Sequence, residues 1–61
     1  MNKIREIMKK RGLTQEELSE MTGIDQSTLS KIINEKKTIT LATAQRISSA
    51  LGFSIESIWP S

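Results

Sequence analysis

Apolar residues recur along the chain at intervals of three and four, which is the spacing of one face of a helix. No segment shows the strict alternation of apolar and polar positions that is typical of a half-buried strand. Polar residues suited to capping precede the apolar segments, and glycines follow several of them. The pattern therefore predicts an all-α fold of five short helices around one core. The expected capping residues, in chain order, are Asn2, Thr14, Asp25, Thr40 and Ser54.

The second helix has the most complete start signal. Thr14 is its expected N-cap, and Glu17, three residues later, completes a capping box. Leu13 and Leu18 stand at the two positions of a hydrophobic staple. The helix is expected to end just before Gly23. Because only a few residues separate it from the third helix, a tight corner is predicted in place of an antiparallel hairpin.

The length of 61 residues corresponds to a single domain, residues 1–61, close to the lower limit for an autonomous core. Because cysteine and histidine are absent, we expect no disulfide, no metal and no other cofactor. Apolar runs of two or three residues predict that no segment spans a membrane. The first helix is expected to bury Ile4, Ile7 and Met8. The fourth helix is expected to bury Leu41, Ala44, Ile47 and Leu51.

The third helix carries an unusual polar face. On a helical wheel of residues 26–34, Leu29, Ile32 and Ile33 form one apolar arc. The opposite arc holds Gln26, Ser27, Ser30, Lys31 and Asn34, with Thr28 at its edge. A solvated face normally uses Glu, Lys and Arg, whereas Ser, Thr and Asn weaken a helix. Short donors and acceptors on an exposed helix suit the major groove of B-DNA, so the pattern favours DNA binding over plain solvent exposure.

Charge is distributed unevenly although the formal net charge is only +2. Residues 1–13 hold five basic side chains against one acidic side chain, a net of +4. Residues 14–35 hold one basic side chain against five acidic ones, a net of −4. Two basic clusters, Lys9–Arg11 and Lys36–Lys37, flank this acidic middle. Such clusters can contact phosphates, but charge alone leaves ordinary solvated ends equally open.

The segment "LTQEELSEMTGIDQSTLSKIINEKKT" resembles the helix-turn-helix of the Cro/repressor (XRE-type) family. The family pattern is met by Gln15, Leu18, Ser19, Gly23, Ile24, Gln26, Ser27 and Leu29. The segment "LATAQRISSALGFSIESI" is similar to the fourth and fifth helices of that family. The resemblance implies a repressor-like domain with its helix-turn-helix at about residues 14–34. It also implies sequence-specific binding of double-stranded DNA by a transcriptional regulator, which we expect to be a repressor.

The resemblance assigns roles to individual residues of this chain. The expected base contacts are Gln26, Ser27, Thr28, Ser30 and Lys31. The expected contacts to the DNA backbone are Gln15, Asn34, Lys36 and Lys37, to which the charge pattern adds Lys10 and Arg11. In the family, the counterpart of Gln15 often also braces the first glutamine of the recognition helix. The alternative for Gln15 is a neutral helix residue, and for Ser27 and Ser30 it is plain solvent exposure.

Three positions depart from the family pattern. Ser19 stands where alanine is usual, and its hydroxyl is expected to bond to a carbonyl one turn back. Glu35 stands where glycine is usual, so Asn34 or another residue must take any left-handed conformation. Met8 and Ile33 replace the arginine and glutamate that many members pair, so an apolar contact is expected there.

One recognition helix reads few base pairs, so we expect a homodimer on a palindromic operator. Ile55, Ile58 and Trp59 are the expected dimer interface, the alternative being that they complete the monomer core. Without histidine or cysteine, and with little room for a cleft, an enzyme or a small-molecule substrate is not expected. The alternatives to a DNA-binding regulator are an antitoxin-like protein-binding module of the same fold and an RNA-binding protein. A regulator of this bacterial or phage type is expected in the cytoplasm, associated with the nucleoid.

Overall fold

Five helices and no strand make up the computed structural model, which describes residues 1–61, and the predicted all-α fold is confirmed. The helices are α1 (Ile4–Arg11), α2 (Gln15–Thr22), α3 (Gln26–Ile33), α4 (Leu41–Leu51) and α5 (Ile55–Ile58). The molecule measures 27 × 22 × 18 Å along its principal axes. None of its helices has the length and apolar character needed to cross a membrane.

Side chains close in sequence cap the first turns of four of the five helices. At the start of α2 the capping box is complete, since Thr14 Oγ1 accepts a bond from the Glu17 N–H and Glu17 Oε1 accepts one from the Thr14 N–H. The predicted caps Asp25, Thr40 and Ser54 each accept a bond from a main-chain N–H in the first turn of their helix. These interactions are all short-range, which is why the capping residues of α2 to α5 could be predicted from the sequence.

The start of α1 differs from the prediction that Asn2 is its N-cap. The N-cap is Lys3, whose side chain makes no capping bond. Asn2 instead accepts a bond from the Ile4 N–H at 3.1 Å. Its Nδ2 also donates to the carbonyls of Ile32 and Ile33, at 3.2 and 3.3 Å. One amide therefore serves the start of α1 and the end of α3, two chain segments that only the folded structure brings together.

The core is one cluster of eleven buried apolar side chains that joins all five helices. Met8 and Ile33, which replace the family's usual ion pair, both belong to it and are 8% and 7% exposed. The cluster consists of Ile4, Ile7, Met8, Leu18, Ile24, Leu29, Ile32, Ile33, Ile47, Leu51 and Ile58. Every buried side-chain nitrogen or oxygen has a hydrogen-bond partner, so the core holds no uncompensated polar group.

Leu41 was predicted to point inward, and this prediction is wrong. Its side chain is 67% exposed, whereas Ala44, Ile47 and Leu51 are buried as expected. Leu41 is the first residue of α4 and lies about 90° around the helix from the centre of the arc of the other three. Position at the helix end and on the edge of the apolar arc together leave it outside the core.

The predicted dimer residues at the C-terminal end do not share one environment. Ile58 is fully buried in the monomer, and its carbonyl accepts a bond of 2.8 Å from the Lys3 N–H. It cannot form part of a dimer interface in this fold, and that prediction is corrected. Ile55 and Trp59 are half-buried and retain exposed surface. The C-terminal end therefore both completes the core and leaves two apolar side chains partly open.

Replacing Met8 with alanine tests the apolar substitute for the usual ion pair. Met8→Ala should lower the free energy of unfolding by about 2–5 kcal/mol, because it removes buried methylene groups and leaves a cavity. Urea unfolding followed by circular dichroism measures the change. Lys9→Ala, at an exposed neighbouring position, is the matched control and should stay within about 0.5 kcal/mol of the parent. Equal stability of both variants would contradict burial of Met8 in the core.

Candidate nucleic-acid interface

The corner between α2 and α3 is held by a small set of local hydrogen bonds. Gly23 adopts a left-handed conformation with φ 74°, and its N–H donates to the Ser19 carbonyl at 2.8 Å. The Ser19 hydroxyl donates forward to the Ile24 carbonyl at 2.5 Å, so the prediction of a carbonyl one turn back is wrong. Thr22 Oγ1 accepts a bond from the Ile24 N–H at 3.2 Å. Side chains of α2 thus satisfy both main-chain polar groups of Ile24.

A side chain of α2 also supports the first turn of α3 directly. Gln15 Nε2 donates to the main-chain carbonyl of Gln26 at 3.0 Å. Gln15 is half-buried, while the side chain of Gln26 is exposed. The bracing of Gln26 by Gln15, which the family resemblance implied, is present in the structure through this main-chain contact. It ties together the starts of the two helices and leaves the Gln26 amide free to reach outward.

The two faces of α3 follow the predicted wheel. Leu29, Ile32 and Ile33 are all buried in the core cluster. The polar face divides into exposed and half-buried members. Exposed are Gln26, Ser27, Lys31 and, at the helix end, Asn34, and half-buried are Thr28 and Ser30. The structure therefore brings all the predicted base-contacting residues onto one helix surface, and Ser30 and Thr28 are its least accessible members.

Asp25 organises the first turn of α3. One of its carboxylate oxygens accepts bonds from the Ser27 hydroxyl at 2.8 Å and from the Thr28 N–H at 3.3 Å. The other accepts a bond from the Thr28 hydroxyl at 2.6 Å. These donors, led by the Thr28 and Ser27 hydroxyls, lower the pKa of Asp25 from 3.8 to about 2. Asp25 is therefore a carboxylate at any physiological pH.

Asn2 and Arg5, near the N-terminus, form hydrogen bonds with residues at the end of α3. Arg5 Nη2 donates to Asn34 Oδ1 at 2.8 Å, and Asn34 Nδ2 donates to the Ser30 carbonyl at 2.8 Å. Glu35 itself takes the left-handed conformation, with φ 62°, and its carboxylate accepts a bond of 2.6 Å from Asn2. Arg5 was not predicted as a site residue, since no local spacing links it to Asn34. It adds a cation beside the end of α3.

The segment after α3 carries the second basic cluster. Lys36 and Lys37 are exposed, and the Lys36 N–H donates to the Lys31 carbonyl at 2.7 Å. Both lysines border a groove of about 510 Å³ whose far wall includes Trp59. The predicted backbone contacts after α3 and the half-buried tryptophan at the C-terminal end are therefore neighbours in the fold.

The first basic cluster lies elsewhere. Arg11 places its guanidinium 5.4 Å from the centre of the Phe53 ring, a cation–π arrangement. Lys10 borders a surface depression together with Phe53 and Ser57. Both side chains thus neighbour the corner between α4 and α5. The contact of Lys10 and Arg11 with the DNA backbone stays a prediction.

Comparison with known proteins agrees with this geometry. A family profile described as helix-turn-helix matches residues 4–58 of the chain. The chain is also 41% identical over 56 residues to a Bacillus subtilis (strain 168) protein, with 92% of this chain and 80% of that protein covered. That protein is the SPbeta prophage-derived uncharacterized HTH-type transcriptional regulator YopO.

The hydrogen bonds of Asp25 predict a loss of stability in acid. Folded Asp25 stays ionised down to a pKa of about 2, whereas the unfolded residue takes up its proton near 3.8. Between these values the unfolded state binds more protons, so the contribution is fully present above pH 3.8 and is lost as the pH falls toward 2. Asp25→Asn keeps a good N-cap but cannot ionise, so its stability should fall less over this range.

Urea unfolding at a series of pH values measures this difference. Glu20→Gln is the control, because it removes an exposed carboxylate on α2 while all three bonds to Asp25 remain. It should keep the acid dependence of the parent chain. Parallel curves for the parent and Asp25→Asn would show that the bonds to the carboxylate do not persist in solution.

Proposed function

The chain belongs to the helix-turn-helix family of DNA-binding domains, and on that basis we propose that it is a transcriptional regulator that inserts α3 into the major groove of its operator. Family membership makes it a DNA-binding protein and not an enzyme. The observation that carries the finer proposal is the exposed polar face of α3. It offers an amide, hydroxyls and one ammonium on a helix whose other side is buried.

Base reading is assigned to the N-terminal half of this face. Gln26 lies in the first turn, where its amide can pair bidentately with the N6 and N7 groups of adenine. Ser27 is exposed beside it, and Lys31 follows one turn later on the same arc, within reach of a guanine or a phosphate. Thr28 and Ser30 are half-buried, which supports a smaller contribution from each.

Backbone contacts are assigned to the two ends of the interface. At one end Gln15 begins α2, where the first main-chain N–H groups have no partner within the helix and can bind a phosphate. At the other end Asn34, Lys36 and Lys37 are exposed, and the guanidinium of Arg5 is bonded to Asn34. Contacts on both sides of α3 would fix its register in the groove without reading bases.

A homodimer on a palindromic operator completes the proposal. Two copies related by a twofold axis would place their recognition helices in half-sites about 34 Å apart. Ile55 and Trp59 are the proposed interface, since they are half-buried and lie at the C-terminal end, with Trp59 bordering the same groove as Lys37. A dimer covering a promoter would repress, and operator binding implies a location in the cytoplasm, where the DNA lies.

Selection of bound sequences from random duplex DNA tests the function. A DNA-binding regulator should enrich a short palindromic sequence, and its affinity should fall with salt concentration because phosphate contacts release counterions. Single-stranded RNA and duplex RNA serve as competitors. Recovery of no preferred duplex, or equal binding to RNA, would overturn the proposal and favour the protein-binding alternative for this fold. A reporter gene behind the selected sequence then separates repression from activation.

The base-reading role of Gln26 has a specific consequence. Gln26→Ala should weaken binding to the selected operator by about 1–3 kcal/mol and relax the preference at one base pair, because it removes a bidentate contact to a base edge. Affinities for a set of operators with single base-pair changes, measured with the parent and the variant, report both effects. A uniform loss of affinity with unchanged base preference would make Gln26 a positioning residue.

The lysines after α3 supply the matched contrast. Lys36→Ala or Lys37→Ala should weaken binding to every operator in the set alike. Each should also reduce the slope of log affinity against log salt by about one for each phosphate that the variant no longer binds. A change of base preference in either lysine variant would contradict its assignment to the backbone.

If Trp59 lies in the dimer interface, its replacement should affect binding to two half-sites but not binding to one. Trp59→Ala should keep the binding of a single half-site but lose the extra affinity of the full palindrome, because the contact between the two copies is weakened. Titration of both DNA lengths gives the ratio, and circular dichroism checks the fold. Met21→Ala is the control, since Met21 is a large, 53% exposed apolar residue outside the proposed interface. An unchanged ratio in Trp59→Ala, with its fold intact, would remove Trp59 from the interface.

A further inference from the structure

The carboxylate of Asp25 accepts hydrogen bonds from two hydroxyl groups at the start of α3. Asp25 accepts bonds from the hydroxyls of Ser27 and Thr28 at 2.8 and 2.6 Å. An ionised carboxylate has no proton to give, so in each of these bonds the hydroxyl must be the donor. Each hydroxyl has a single proton, and each therefore has only lone pairs left for a further partner.

Accepting groups recognise only part of the major groove. Adenine and cytosine present exocyclic amino groups, N6 and N4, which donate hydrogen bonds. Guanine presents N7 and O6, and thymine presents O4 and a methyl group, so neither offers a donor at this edge. Phosphate oxygens are acceptors as well. A hydroxyl whose proton is already bound therefore matches adenine or cytosine and none of these other groups.

We propose that Asp25 is a specificity-determining residue, which holds the Ser27 hydroxyl as an acceptor so that it selects the amino group of adenine or cytosine in the operator. The proposal rests on the function proposed above and adds the chemical class of base that Ser27 reads. Asp25 acts through Ser27 and is a positioning residue. Ser27 carries the inference in preference to Thr28 because it is exposed, whereas Thr28 is half-buried.

The choice of a carboxylate at this position supports the proposal. The N-caps of α2, α4 and α5 are the hydroxyls of Thr14, Thr40 and Ser54. A hydroxyl would suffice to cap α3, and it would avoid placing a negative charge beside DNA phosphates. A carboxylate has about four acceptor sites and can hold a main-chain N–H and two side-chain hydroxyls together. Its low pKa keeps it in the accepting form across the pH range of cells.

Sequence selection with four proteins tests the proposal: the parent chain, Ser27→Ala, Asp25→Gly and Glu20→Gln. Loss of preference in Ser27→Ala identifies the operator position that Ser27 reads. There the parent should favour adenine or cytosine over guanine or thymine by about two- to tenfold, the ratio expected for one hydrogen bond. In Asp25→Gly no side chain is left to accept a bond from the Ser27 hydroxyl, so its proton is free to donate and this preference should disappear, while glycine remains a tolerated N-cap.

The control variant separates charge from hydroxyl orientation. Asp25→Gly and Glu20→Gln each remove one negative charge, and each should bind non-specific duplex somewhat more tightly. Only Asp25→Gly should lose the base preference, whereas a merely structural role of Asp25 would leave that preference in place. Unchanged preference in a folded Asp25→Gly, or a parent preference for guanine or thymine at the Ser27 position, overturns the inference.

A second measurement uses the parent chain and modified DNA, so it does not depend on the stability of Asp25→Gly. Replacing the selected adenine by purine, which lacks the amino group, should weaken binding of the parent chain by a similar factor, about two- to tenfold. If the selected base is cytosine, it is replaced by the pyrimidine analogue that lacks the amino group. Ser27→Ala should show no further loss on the modified site. Full affinity of the parent for the modified site would refute the inference, whereas a parent that selects no sequence at all would refute the proposed function.

Discussion

The hydrogen bond from the Ser19 hydroxyl to the Ile24 carbonyl helps to fix the direction of α3 relative to α2. The orientation of the polar face of α3 depends on that direction. The left-handed Gly23 turns the chain, and its N–H bonds to the Ser19 carbonyl at 2.8 Å. The Ser19 hydroxyl donates to the Ile24 carbonyl at 2.5 Å, so Ser19 forms hydrogen bonds on both sides of the turn. Gln15 adds a third bond on the Gln26 carbonyl. Serine in place of the family's usual alanine thus adds a hydrogen bond to the corner.

The same corner occurs a second time in the molecule. In "SEMTGID" and "SSALGFS" a serine, a glycine four residues later and a capping residue two further on recur with identical spacing. The Gly52 N–H bonds to the Ser48 carbonyl at 2.9 Å, and the Ser48 hydroxyl donates to the Phe53 carbonyl, as at the first corner. The second corner turns α5 back onto the core, which buries Ile58 completely and leaves Trp59 at the edge. The same local arrangement of serine, glycine and capping residue therefore positions both α3 and the C-terminal end.

Short-range signals made most of the fold predictable. Caps and glycines act within four or five residues and indicated where α2 to α5 lie, and the helical spacing of apolar residues predicted the buried face of α3 correctly. The bond of Ser19 and the exposure of Leu41 were predicted wrongly although both are local, and the other differences arose where distant segments decide. Asn2 serves the end of α3 across thirty residues of sequence, and the Arg5 contact with Asn34 spans twenty-nine. The contact of the Arg11 guanidinium with the Phe53 ring was likewise not predicted, because no spacing rule links the two residues.

The charges around α3 support the proposal that short polar side chains carry discrimination in this chain. With a formal net charge of +2, general attraction to phosphates is weak, so orientation of individual groups matters more. Glu35 would oppose phosphate binding beside Lys36, yet its carboxylate is bound by the Asn2 amide at 2.6 Å and lies 3.4 Å from the N-terminal ammonium. Asp25 likewise uses its carboxylate on the hydroxyls of its own helix. Both carboxylates are thus bound within the protein, and Lys31, Lys36 and Lys37 form no ion pair in the structure.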